Sequence, residues 1–96
     1  MTQIERISRM ERILEEAAEA AKAASQSPEQ CLKLMDDVAE LEAYYTGPQW
    51  KRDYEDDCEG RLPKTLRRGV LSEDAIYDLL QEWDEIRKRF KAESTM

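Results

Sequence analysis

Ile4, Ile7, Met10, Ile13, Leu14, Ala17 and Ala21 mostly lie three or four residues apart. That spacing puts them on one face of an α-helix and on both faces of a strand, so it decides the local structure before composition is considered. Two further stripes repeat it. The first is Cys31, Leu34, Met35, Val38, Leu41, Glu42 and Tyr45, in which Glu42 is the misfit. The second is Ile76, Leu79, Leu80, Trp83, Ile86, Arg87 and Phe90. No alternating strand pattern, internal repeat or low-complexity linker interrupts them. The fold expected is all-α: an antiparallel three-helix bundle with helices at about 3–24, 28–45 and 73–91.

Boundary signals support these ranges. Ser27-Pro28-Glu29-Gln30 is a capping box with Pro at the first helical position, which starts the second helix. The three-residue connection Ser25–Ser27 makes the first two helices a hairpin. Thr46-Gly47-Pro48 stops the second helix. A short helix over about 48–57 follows, with Trp50, Tyr54 and Cys58 four apart and expected to face the core. Ser72 is the N-cap of the last helix, with Glu73 and Asp74 in its first turn and Leu71 placed to pack on Ile76. The alanine-rich half of the first helix, EEAAEAAKAAS, is narrow enough to admit a tight helix crossing. Residues 1–92 form one domain, and 93–96 are expected to fray.

The segment RLPKTLRRGVLSED, Arg61 to Asp74, is the exception in an acidic chain. Asp and Glu number 22 against 15 Lys and Arg, a net charge of −7, yet Arg61, Lys64, Arg67 and Arg68 occur within eight residues that hold no acid. Leu62, Leu66 and Val70 recur every four residues through it, and Pro63 and Gly69 bracket a single expected helical turn. Burial of three such side chains is worth about 1.5–3 kcal/mol each as an upper estimate. Exposed ion pairs are worth about 0–1 kcal/mol each. The segment, 61–71, is therefore expected to be a docked crossover held by its apolar residues, with its cations meeting acids of YEDDCEG or of the long helices. The alternative is a site for an anion or acidic peptide formed by Arg61, Lys64, Arg67 and Arg68. Against that, Glu73 and Asp74 occupy the adjoining helix N-terminus and repel an anion.

QIERISRMERIL, LEAYY, the W-x-x-D-Y-E of Trp50–Glu55 and GRLPKTLRRGVLSEDAIYDLL together resemble the small bacterial family known as domain of unknown function 4298. The resemblance spans nearly the whole chain, and LPKTLRRGVLSED is its most specific part. It implies a small helical protein and carries no activity, ligand or catalytic residue.

The chemistry open to the chain is limited. It has no histidine, which removes Cys-His and Ser-His pairs and the usual zinc sets. Its two cysteines, Cys31 and Cys58, fit neither a disulfide scaffold nor a metal spacing. Cys31 is expected to pack as a small hydrophobe. DYEDDCEG looks like a calcium loop but has Cys58 where Gly is needed at the sixth position and Lys64 where Glu is needed at the twelfth. A solvated helix end is the better reading. No catalytic, cofactor-binding or metal-binding residue is assigned.

No secretory signal or membrane span is visible, and the acidic balance opposes nucleic acid and anionic membrane. The expectation is a cytoplasmic, non-enzymatic protein–protein interaction module whose partner is another protein or a second copy. Tyr44 and Tyr45 are adjacent, so one helix face cannot bury both, and Tyr44 or Tyr77 is expected to contribute to an exposed patch. The alternatives are an acidic regulator that covers a basic partner or mimics nucleic acid, and an anion- or peptide-binding domain using the basic crossover.

Overall fold

Thr2 starts the first helix. Its hydroxyl accepts the Glu5 amide at 3.1 Å while the Glu5 carboxylate accepts the Thr2 amide at 3.3 Å, a reciprocal cap written in the sequence as T-x-x-E. The computed structural model describes residues 2–23 and 28–94, with side chains given apart from those of residue 28 and residues 90–94. It contains α1 (Gln3–Lys22), α2 (Pro28–Thr46), α3 (Pro48–Cys58) and α4 (Glu73–Ser94), with a 3-10 turn at Gly69–Leu71. No strand occurs among the described residues. The Ser27–Gln30 capping box and the inward placing of Phe90 fall outside the described residues. α4 runs to Ser94, and residues 95–96 of the expected tail also lie outside them.

α1, α2 and α4 form the expected three-helix bundle. α1 and α2 are an antiparallel hairpin. The Cys31 thiol, early in α2, donates to the Ala20 carbonyl near the end of α1, and Arg9 near the start of α1 holds Glu40 late in α2 at 2.7 Å. The core is built from the expected stripes, including Ile7, Ile13, Val38, Leu41, Ile76 and Trp83, all buried. Ile4 is the exception on α1 and is exposed.

On the narrow alanine face, side chains of the neighbouring helices reach the α1 backbone. Ala17 and Ala20 are buried, and their carbonyls accept the Trp83 indole N–H at 3.0 Å and the Cys31 thiol at 3.4 Å. A larger residue at either position would occupy the space those donors use.

α3 closes one end. Pro48 occupies its first turn. Its far end is a Schellman cap: Gly60 at φ 73° turns the chain, its amide bonds the Asp57 carbonyl at 3.1 Å, and the Arg61 amide bonds the Asp56 carbonyl at 2.9 Å. Gly60 is needed there because L side chains rarely adopt that φ.

The buried face of α3 corrects the sequence reading. Trp50 and Asp53 are inside, whereas Tyr54 and Cys58 are exposed. A parallel correction applies on α2, where Tyr44 is buried and Tyr45 is only half-buried. Of the two tyrosines named for an exposed patch, Tyr77 is exposed and Tyr44 is not. Tyr44 is drawn in because its hydroxyl bonds Asp53 at 2.7 Å.

Candidate functional site

Asp53 is the buried charge among the described residues. Arg6 of α1 grips it with two N–H groups, Nη2 to Oδ1 at 2.7 Å and Nε to Oδ2 at 3.1 Å. Tyr44 of α2 donates to Oδ2, and Gln3 donates to Oδ1 at 2.9 Å and to Asp56 Oδ2 at 2.7 Å. Burial pushes the Asp53 carboxyl up, but the bonds from Arg6, Tyr44 and Gln3 together hold it below the usual carboxylate range. Burial first, and then the bond to Asp53, push the Tyr44 phenol well above its ordinary value. An anion whose oxygens already receive four donors is a poor proton acceptor for a substrate. The arrangement is a three-helix fastening. Asp53 had been read as part of a solvated helix end, and that reading is corrected: its partners lie 47 and 50 residues away on α1, where the local sequence gives no sign of them.

The basic segment is a docked crossover. Leu62, Val70 and Leu71 are buried, and Leu66 is half-buried against the same core. The helical turn sits later than expected. Pro63–Leu66 is a turn closed by the Leu66 amide on the Pro63 carbonyl at 3.1 Å, and Gly69 begins the 3-10 turn instead of closing an earlier one. Val70 is the pin. Its amide donates to Glu11 Oε1 at 2.7 Å, and its carbonyl accepts the Trp50 indole N–H at 3.0 Å. A Cβ on Gly69 would stand 3.1 Å from the Glu11 carboxylate, so a glycine there leaves room for that grip.

The four cations named from sequence do not converge on an empty site. Arg61 pairs with Asp56 at 3.1 Å and Glu59 at 2.6 Å, both from α3 and its cap. Arg67, 78% exposed, pairs with Glu15 of α1 at 3.2 Å. Arg68 is 31% exposed, pairs with Asp57 and donates to the carbonyls of Pro63 at 2.6 Å and Leu66 at 3.4 Å. Lys64 is exposed and has no ion pair among the described residues. Acids of α1 and of YEDDCEG thus meet the arginines, and Arg68 also ties the crossover to itself.

A different surface is left open. Trp50 is sandwiched between Tyr45, edge-on at 5.0 Å, and Tyr54, stacked at 5.2 Å. Tyr54 is 38% exposed, and Tyr77 of α4 is 51% exposed. Two shallow clefts meet here. One, about 430 Å³, lies between α2 and α4 and includes Tyr45, Tyr77 and Leu80 in its walls. The other, about 450 Å³, lies along α3 and includes Tyr45, Trp50 and Tyr54. Tyr45 and Thr46 border both, so they form one face. Tyr77 was one of the two tyrosines named for an exposed patch. Tyr45 and Tyr54 were assigned to the core, and the adjacent run Tyr44-Tyr45 was the signal that one of the pair must turn outward.

Among the described residues no three Cys, Asp or Glu side chains converge as a metal site, and no helix is long and apolar enough to cross a membrane. Cys31 and Cys58 are free thiols, one buried and one exposed, and burial pushes the Cys31 thiol up.

The family model described as "Domain of unknown function (DUF4298)" matches residues 7–92. The chain belongs to that family. No curated protein and no solved structure gives a significant match. The segments that carried the resemblance meet in space in this DUF4298 chain. QIER supplies Gln3 and Arg6, LEAYY supplies Tyr44, W-x-x-D-Y-E supplies Trp50 and Asp53, and GRLPKTLRRGVL supplies Val70. Gln3 and Arg6 precede the matched residues, whereas Tyr44, Trp50, Asp53 and Val70 lie within them.

Proposed function

We propose that this DUF4298 protein acts by binding another protein, through the aromatic face formed by Tyr45, Trp50, Tyr54 and Tyr77. The supporting observation is the exposure of tyrosines over two joined clefts in a protein small enough to need its aromatics inside. Rigid aromatic side chains beside a shallow depression are the groups that dominate protein contacts, because they bury large area at little entropic cost. No comparable support exists for catalysis. Asp53 is saturated, and the crossover's arginines are engaged within the chain. The same engagement leaves little for the anion-site reading. Interleaving of Arg6, Arg9, Arg12, Arg61, Arg67 and Arg68 with acids also gives little support to mimicry of nucleic acid. Cytoplasmic residence belongs to this reading, and the free thiols are compatible with it.

The test is a photo-crosslinking residue placed in turn at positions 54, 77, 12 and 64 in living cells. Discrete adducts from 54 and 77, absent from 12 and 64, support the reading, and so does loss of the position-54 adduct on Tyr77→Ala. An adduct of twice the chain's mass from 54 and 77 makes the partner a second copy. Equal adducts from all four positions, or adducts from 64 alone, overturn it.

A further inference from the structure

The charges around the aromatic face specify its occupant. Glu42, Asp84 and Glu85 line the α2–α4 cleft and Glu55 lines the α3 cleft. Glu73 and Asp74, in the first turn of α4, precede Tyr77 by four and three residues and so share its face of the helix. The cations on this face are Lys51, Arg87 and Lys88. Two are already engaged: Arg87 lies between Glu42 at 3.6 Å and Asp84 at 3.4 Å, and Lys88 pairs with Asp84 at 3.1 Å. Among the described residues of this face, Glu55, Glu73, Asp74 and Glu85 are then balanced only by Lys51. The face therefore combines exposed aromatic rings with an unbalanced negative rim.

Lysine and arginine are the side chains that satisfy both parts at once. Their hydrocarbon stems lie on apolar surface while their charged heads extend outward, here toward carboxylates. Ring faces of Tyr and Trp attract the same cations. A phosphate-rich surface would meet repulsion from the same rim. We infer that the face takes a lysine- or arginine-bearing amphipathic segment of the partner protein, its apolar residues over the clefts and its cations toward Glu55, Glu73, Asp74 and Glu85. This rests on the interaction-face reading and names the chemistry of the partner.

The experiment is a nuclear magnetic resonance titration of the full chain at low salt. The probes are a short amphipathic peptide of lysine and leucine and its glutamate–leucine counterpart of identical pattern. The expected result is that the lysine peptide shifts amides of residues 42–55 and 73–88. Its affinity falls about tenfold in Tyr77→Ala and in the combined Glu73→Gln, Asp74→Asn, Glu85→Gln variant. Because two of those three acids sit in the first turn of α4, Glu85→Gln alone is measured too, and it weakens binding in the same direction. The inference is overturned if the glutamate peptide binds equally well, if shifts fall on α1 instead, or if none of these substitutions changes affinity. Should crosslinks at 54 and 77 persist while the lysine peptide fails, the interaction face stands and its cationic occupant is wrong. Should both fail, the face itself is wrong.

Discussion

Arg6 and Asp53, 47 residues apart in sequence, form a two-bonded ion pair in which the carboxylate is buried and the guanidinium is largely covered. The pair joins α1 to α3, and Tyr44 adds α2 to the same oxygens. The price of burying this charge is met by four donors, so removal of any one partner leaves others unsatisfied.

Asp53→Ala is expected to destabilise the protein by about 3 kcal/mol or more, since it strands Arg6 and the Tyr44 hydroxyl. Tyr44→Phe removes one bond to a charged acceptor and costs about 1–3 kcal/mol. Urea denaturation measures both. A loss below about 0.5 kcal/mol for Asp53→Ala, the size of an ordinary surface substitution, would contradict the fastening role.

The same pair sets an acid limit. Asp53 has a lowered folded-state pKa, so its contribution is whole above the unfolded value of about 3.9 and is lost as pH falls through the lower folded value. Tyr44 has a raised one, so its contribution is whole below about 10 and is lost as pH rises through the folded value. Urea midpoints across pH should therefore show a shallower acid limb in Asp53→Asn and a shallower alkaline limb in Tyr44→Phe. Limbs parallel to wild type in both variants would contradict the assignment.

Glu11 and Gly69 should act as one device. Glu11→Ala leaves the Val70 amide without its partner and costs about 1–3 kcal/mol. Gly69→Ala crowds the same carboxylate. A double-mutant cycle should show strong non-additivity, because the second change removes a contact the first has already lost. Simple addition of the two losses would mean that Gly69 does not serve the Glu11 grip.

Cysteine labelling checks the packing of the alanine face. Cys58 should react with a thiol reagent in the native protein, and Cys31 only on unfolding, since it is enclosed against Ala20. Ala20→Val should expose Cys31 to labelling by pushing α1 and α2 apart. Equal native reactivity of the two thiols would refute the packing.

The helices were legible in the sequence because three stripes of apolar residues, with Gly47, Pro48 and Gly60 as stops, admit few other folds. The inward face of α3 was not. Trp50, Tyr54 and Cys58 make a plausible apolar row at steps of four, and the structure instead buries Trp50 and Asp53 at a step of three. The same slip occurred on α2, where Leu41 is followed inward by Tyr44 and not Tyr45. A turn of 3.6 residues permits either step. The choice was made by Arg6, a distant cation that turns an acid inward, and once Asp53 and Tyr44 are buried, Tyr45 and Tyr54 must lie nearer the surface. The candidate face was thus hidden in the sequence by the same long-range pair that creates it. The crossover was legible through Leu62 and Val70, but its Glu11 and Trp50 grips depend on contacts 59 and 20 residues away.

The most direct test of the account is the relative stability of strap variants in urea. Apolar anchoring predicts that Leu62→Ala costs about 2 kcal/mol or more, while Arg67→Ala stays within about 0.5 kcal/mol of wild type. The reverse order, with Arg67→Ala the more damaging and Leu62→Ala nearly silent, would show that charge holds the crossover and would return the basic segment to the centre of the molecule's function.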